Sequence, residues 1–151
     1  MSRKQHYCRS GLVLALCVCL TADVWAIDFW LKENELRSGL GGATIDGQYV
    51  DARSFREHYN VDGSLNYEEP VGNPKLGGRW SIVRDRFCTI YDQSDTGGCY
   101  RVRQVSDNCF EFFFDSRTVA EARSSTLRNP TWTARAWRTD RVSTCEERPM
   151  V

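Results

Sequence analysis

Short runs of β-branched and aromatic residues alternate with turn-forming residues through the middle of the chain, from Gly77 to Asp115. Pattern and residue preference predict strands at Trp80–Val83, Phe87–Tyr91, Cys99–Arg103 and Cys109–Phe114. The breaks between these runs hold Asp, Asn, Ser and Gly residues, which hydrogen-bond their own backbone or accept positive φ. Successive hairpins of this kind predict an antiparallel meander.

The second hairpin of the meander predicts a disulfide. Centring it on a four-residue loop, Asp92–Asp95, sets Cys88 opposite Cys99. Directly opposed residues of a non-hydrogen-bonded pair have Cα atoms about 4.5 Å apart, which is within disulfide range. A bulge at Gly97–Gly98 would shift this register by one residue.

The segments before the meander predict one helix and further strands. Phe29–Leu40 contains good helix formers, with Gly39 at the position of a C-cap glycine. Gly41–Val50 predicts a strand broken by a turn at Asp46–Gly47, and Arg53–Asn60 forms a hairpin with the run that follows it. The proline- and glycine-containing stretch from Glu68 to Lys75 predicts a connecting loop.

After the meander the pattern is weaker. Ser116–Asn129 is polar and predicts either one helical turn or a long loop. Thr131–Arg138 alternates as a strand does, but Trp132 and Trp137 have opposite parity, so one of them should face outward. The seven or eight short strands indicate a mainly β fold, an antiparallel meander curled into a small barrel or half-barrel with a short N-terminal helix, because closure removes exposed edges.

Residues 1–26 have the layout of a secretory signal peptide. Arg3, Lys4 and Arg9 form a positive start, Gly11–Leu20 is apolar, and Val24–Ala26 supplies a small-x-small cleavage site. A transmembrane anchor would need an apolar run roughly twice as long. The mature protein is therefore predicted to begin near Ile27 as one domain, residues 27–151, with no membrane span.

The signal changes the cysteine count from an odd to an even number. Of the seven cysteines, Cys8, Cys17 and Cys19 leave with it. The remaining four imply two disulfides in an exported chain and allow three connectivities, of which Cys88 with Cys99 and Cys109 with Cys145 is favoured. A zinc site is disfavoured because the chain has no CxxC pair.

Charge argues against a nucleic-acid partner. Cleavage before Ile27 reduces the 20 basic and 20 acidic residues to 17 and 19, a net charge of −2. That balance gives no attraction to nucleic acid across the whole sequence.

Candidate catalytic and metal-binding residues are few, and we predict no catalytic site, metal or cofactor. His58 is the only histidine after residue 26, and the cysteines are expected to be oxidised. Asp62, Asp92 and Asp95 lie in turns, where Asp serves the backbone. Glu68 and Glu69 are adjacent in a strand and would point to opposite faces.

The aromatic residues of the meander suggest a ligand cavity instead. A curled sheet could enclose a small apolar space lined by Trp80, Tyr100 and Phe112. Nearby guanidinium groups could hold an anionic head group at the mouth of that space. These groups belong to Arg79, Arg101 and Arg103. The pattern is equally compatible with a barrel filled by side chains.

Several landmarks of the chain resemble a known group of proteins. They are Leu36, Gly39, Gly42–Thr44, Tyr59, Asp62–Gly63, Gly78–Trp80, Cys88, Cys99–Tyr100 and Asn108–Phe112. Over roughly residues 36–115 they are similar to small exported proteobacterial proteins catalogued as a domain of unknown function. The resemblance implies a periplasmic or secreted address and brings no catalytic residues.

Two classes of function follow from the sequence. The first is a non-enzymatic exported β domain that binds a small apolar or anionic ligand, an envelope component or another protein. The alternative is a small periplasmic hydrolase that uses carboxylate, Tyr and Arg side chains. A pair of convergent carboxyls in a deep pocket would favour the hydrolase, whereas an aromatic core without such a pair would favour binding.

Overall fold

A computed structural model of the chain describes residues 29–69, 75–92, 97–119 and 132–146. The predicted signal peptide, residues 1–26, and most of the segment from Ser116 to Asn129 lie outside these ranges. The elements are α1 (Glu33–Leu40), β1 (Thr44–Tyr49), β2 (Ser54–Tyr59), β3 (Ser64–Glu68), β4 (Leu76–Val83), β5 (Arg86–Tyr91), β6 (Gly97–Ser106), β7 (Cys109–Ser116) and β8 (Ala134–Arg138).

The strands form a closed antiparallel barrel. Each strand pairs with the next in sequence, and β8 pairs with both β7 and β1. The mainly β prediction is confirmed, and the structure selects the full barrel over the half-barrel. Closure leaves none of these strands with an unpaired sheet edge along its whole length.

Both disulfides have the favoured pairing. Cys88 lies opposite Cys99 in the register, with Cα atoms 4.0 Å apart, and Cys109 bonds Cys145 with Cα atoms 4.9 Å apart. Two disulfides are typical of an oxidising compartment outside the cytoplasm. Within the described ranges, no helix is long and apolar enough to cross a membrane.

The helix closes one end of the barrel. Leu36 and Leu40, one turn apart on the same helix face, are fully buried in the core. The helix begins at Glu33, later than predicted, because the preceding residues run along β6. There the Leu31 N–H donates to the Val102 carbonyl at 2.8 Å, and Trp30 packs edge-on against Phe113. The cap glycine is Gly41 rather than Gly39, which lies within the last helical turn.

Strand β1 is continuous, so the predicted turn at Asp46–Gly47 is wrong. Gly47 pairs with Phe55 on one side and Ala136 on the other. A Cβ on Gly47 would lie 2.2 Å from the Phe55 ring. The glycine therefore makes room for an aromatic ring in the barrel, a role that a sequence pattern cannot distinguish from a turn.

Both tryptophans near β8 lie outside the barrel. Trp137 pairs with Asp46 on the outer face, and Trp132, which precedes the strand, stacks on the Arg135 guanidinium 4.8 Å from the ring centroid. The inward positions of β8 are instead Ala134 and Ala136, both buried. The expectation that one of the two tryptophans faces outward is confirmed for Trp137.

The two ends of the barrel differ in their connections. At the end closed by α1 the strands are joined at residues 60–63, 84–85 and 107–108. At the opposite end, here called the loop end, they are joined at residues 50–53, 69–75, 92–96 and 117–133. Longer connections at one end of a closed barrel are the usual place for binding residues.

Candidate functional site

A glutamate lies inside the barrel. Strand β2 alternates, so that Phe55, Glu57 and Tyr59 all point inward with exposed fractions of 5%, 4% and 1%. The strand period of two residues therefore carries a carboxyl group into the aromatic core. Charged side chains are seldom fully buried unless they are paired, so the burial of Glu57 needs a structural explanation.

Two tyrosine hydroxyls bind the carboxyl of Glu57. The Tyr59 hydroxyl donates to Oε2, and the Tyr91 hydroxyl donates to Oε1. Tyr91 comes from the end of β5, three strands away around the barrel. Among the described residues, Glu57 forms no ion pair.

Burial dominates the electrostatics of this group. It raises the pKa of Glu57 above the ordinary glutamate value, because removal from water disfavours the charged form, while the two hydroxyl donors act in the opposite direction. Burial also raises the pKa values of Tyr59 and Tyr91, and the nearby Glu57 charge raises them further. Both phenols therefore stay protonated and able to donate at neutral pH.

A cavity of about 30 Å³ adjoins Glu57 toward the loop end. Its walls include the rings of Tyr49, Phe87, Tyr100 and Phe112. A polar cavity needs roughly 10–15 Å³ to hold one water molecule. This space is therefore large enough for a group of a few atoms beside the carboxyl.

A second polar chain lies at the rim of the loop end. The Tyr67 hydroxyl donates to Glu69 Oε1 at 2.6 Å. Arg53 donates to the same oxygen at 3.3 Å, and its guanidinium lies over the Tyr49 ring. Burial is the main cause that raises the pKa of Tyr67 to about 12. The rim thus fixes the orientation of Tyr49, whose ring forms part of the cavity wall.

The aromatic residues predicted to line a cavity are only partly brought together. Tyr100 and Phe112 do line it, and burial raises the pKa of Tyr100 to about 12. Trp80 lies in the core closer to the helix end, where its indole N–H donates to the Asn60 carbonyl at 2.8 Å. It is therefore part of the core next to the cavity, outside the cavity lining.

The structure places Arg79, Arg101 and Arg103 on the outer face of the barrel. Arg79 is exposed on β4 between two inward residues. Arg103 donates to Glu111 at 2.7 Å, and Arg101 lies 5.8 Å from the centre of the Trp30 ring. None of the three adjoins the cavity, because on each strand their parity is opposite to that of the core residues.

The candidate catalytic and metal-binding residues His58 and Glu68 lie outside the cavity as well. The His58 ring hydrogen-bonds the Thr44 hydroxyl at 2.8 Å. Glu68 pairs with Lys75 on the outer face. Within the described residues, no group of three or more His, Cys, Asp or Glu side chains is placed to hold a metal ion.

Sequence reasoning missed Glu57 and its partner Tyr91. One signal was available, since alternation already placed Glu57 on the same strand face as Phe55 and Tyr59. A carboxyl group at an otherwise aromatic inward position is unusual enough to mark a candidate site. No comparable signal existed for Tyr91, which reaches Glu57 only through barrel closure.

These features define a class of protein: a disulfide-bonded, closed eight-stranded barrel, with the strands counted over the described ranges, that holds a carboxyl beside an aromatic cavity. No family model, curated protein or solved structure matches the chain. The candidate function therefore depends on the geometry of the site.

Proposed function

We propose that the protein is an exported, non-enzymatic barrel that binds a small molecule in the cavity beside Glu57. One observation carries the proposal: a cavity at the loop end combines aromatic walls with a single buried carboxyl. Ligand sites commonly join apolar walls to a few oriented polar groups. The inside of an eight-stranded barrel is also wide enough for one small ligand.

The same cavity argues against the hydrolase alternative. Hydrolysis by carboxylates uses two of them, one as acid and one as base or nucleophile. Among the described residues that line the cavity, Glu57 is the sole carboxyl. Glu69, at the rim, is engaged with Tyr67 and Arg53. Binding is therefore the better account of this site.

Export to the periplasm or outside the cell completes the proposal. The two disulfides, the signal-like residues 1–26 and the resemblance to small exported proteobacterial proteins all support it. N-terminal sequencing of the mature protein should begin at Ile27. Recovery of Met1 from a membrane fraction would contradict this address.

Native mass spectrometry of the exported protein tests the binding function. The parent should retain a bound mass, whereas Ala134→Val, which adds two methyl groups to a residue lining the cavity, should retain less. Ser81→Val, at an exposed position on the outer face of β4, is the matched control and should retain the same mass as the parent. Equal retention by all three proteins would place the bound molecule elsewhere. No bound mass in the parent would count against a tightly held ligand.

A further inference from the structure

The buried carboxyls of this barrel differ in whether a cationic side chain pairs with them. Asp115 pairs with Arg86 at 2.7 Å, and Glu111 binds both Arg103 and Arg135. Glu57 is buried as deeply but is held only by phenol hydroxyls, with no cationic side chain beside it among the described residues.

This difference matters because buried charges in proteins are ordinarily paired. A buried carboxylate costs several kcal/mol unless a cation and further hydrogen bonds compensate it. The chain supplies arginine to Glu111 and Asp115, which lie on the outer face. Inside the barrel it supplies aromatic rings.

Aromatic rings around a carboxylate suit one kind of ligand. The face of a phenol or phenyl ring carries negative potential and attracts cations, as in the aromatic sites that bind alkylammonium groups. The cavity beside Glu57 presents such rings from Tyr49, Tyr91, Tyr100 and Phe112. An anion placed there would be repelled by both the carboxylate and the ring faces.

We infer that the ligand of this cavity is an organic cation whose ammonium group pairs with the Glu57 carboxylate within the cage of tyrosine and phenylalanine rings. The inference rests on the proposed binding function and specifies its ligand class. The cavity of about 30 Å³ admits a compact head group, such as a primary ammonium. The remainder of the ligand extends toward the loop end, since the helix end is filled by Leu36 and Leu40.

Three probes of equal chain length separate charge from shape: n-butylammonium, 1-butanol and butyrate. Each is titrated into the disulfide-bonded protein while NMR follows the tyrosine ring signals and the Glu57 side-chain carboxyl carbon. Butylammonium should bind at least about tenfold more tightly than 1-butanol, which is about 1.4 kcal/mol. Butyrate should not bind. The carboxyl carbon signal should move with butylammonium and stay in place with 1-butanol.

Two Glu-to-Gln variants locate the effect. Glu57→Gln should lose the preference for the cation, whereas Glu68→Gln, which removes an outer-face carboxylate paired with Lys75, should keep it. If Glu57→Gln does not fold, the carboxyl carbon signal of the parent still tests the inference, because it should move with butylammonium and stay in place with 1-butanol. Unchanged butylammonium binding by a folded Glu57→Gln protein would overturn the inference.

The probes also separate failure of the inference from failure of the proposed function. Binding of 1-butanol or butyrate in the cavity, as tight as that of butylammonium or tighter, would overturn the cation assignment and leave a ligand-binding barrel. Absence of binding by all three probes, together with no bound mass in native spectra, would count against both.

Discussion

Replacing Glu57 by glutamine should stabilise the protein at neutral and alkaline pH. Burial holds the pKa of Glu57 above 4.5, its ordinary value, so the folded state binds this proton more tightly than the unfolded chain does. As pH rises above 4.5, the unfolded chain loses the proton first, and the free energy of unfolding falls until pH passes the folded pKa. Above the folded pKa, the free-energy cost of burying the charged carboxylate no longer changes with pH. Glutamine carries no charge and avoids it.

The size of this stabilisation depends on how much more weakly acidic Glu57 is in the folded state than in the unfolded chain. Each tenfold difference in acidity between the folded and unfolded states corresponds to about 1.4 kcal/mol. The hydrogen bonds from Tyr59 and Tyr91 already lower the folded pKa of Glu57, so this difference is the net penalty of charging the carboxyl. The amide of glutamine, like the protonated carboxyl, is neutral and avoids that penalty. We expect Glu57→Gln to have the higher free energy of unfolding near pH 8, and each kcal/mol of that difference raises the melting temperature by roughly 4 °C.

Urea unfolding followed by tryptophan fluorescence, with the disulfides intact, measures this difference. The two free energies of unfolding should converge near pH 4.5 and separate as pH rises. Glu68→Gln is the matched control, because Glu68 lies on the outer face paired with Lys75. Its difference from the parent should stay small. A Glu57→Gln protein whose free energy of unfolding differs from that of the parent by the same amount at every pH would refute the account of a burial-raised pKa.

Three further sets of substitutions test the packing around the barrel. Replacing both Cys109 and Cys145 by alanine should lower the free energy of unfolding by on the order of 4 kcal/mol and speed proteolysis after residue 138. Equal protease resistance of the double variant and the parent would show that packing alone holds this segment. Asn108→Ala should lower the free energy of unfolding in urea by about 2–4 kcal/mol. The buried Asn108 amide donates to three carbonyls of residues 138–142 and accepts one N–H. A decrease of less than about 0.5 kcal/mol would contradict that role. Gly47→Ala should cost about 1–3 kcal/mol through its clash with the Phe55 ring, and Phe55→Leu should recover part of the loss; no recovery would place the strain elsewhere.

Local sequence determined the parts of the fold that depend on neighbours along the chain. The period of two along each strand, with turn residues between the runs, predicted the meander and the register of its second hairpin. Because that register is a short-range property, Cys88 could be placed opposite Cys99 without a structure. The predicted turn in β1 failed because a glycine that makes room for the ring of Phe55 resembles one that turns the chain.

Only the tertiary structure brought the residues of the candidate site together. Alternation placed Glu57 on the inner face of β2, but its second hydroxyl partner, Tyr91, lies 34 residues away and reaches it only when the barrel closes. The outward position of Arg101 and Arg103 likewise depends on which strand face becomes the inside. Local propensity sets the period of a strand, whereas the direction in which a sheet curls depends on contacts among all its strands. The fold class and two of the cavity-lining rings, Tyr100 and Phe112, could therefore be predicted from the sequence, whereas the contact of Glu57 with Tyr91 could not.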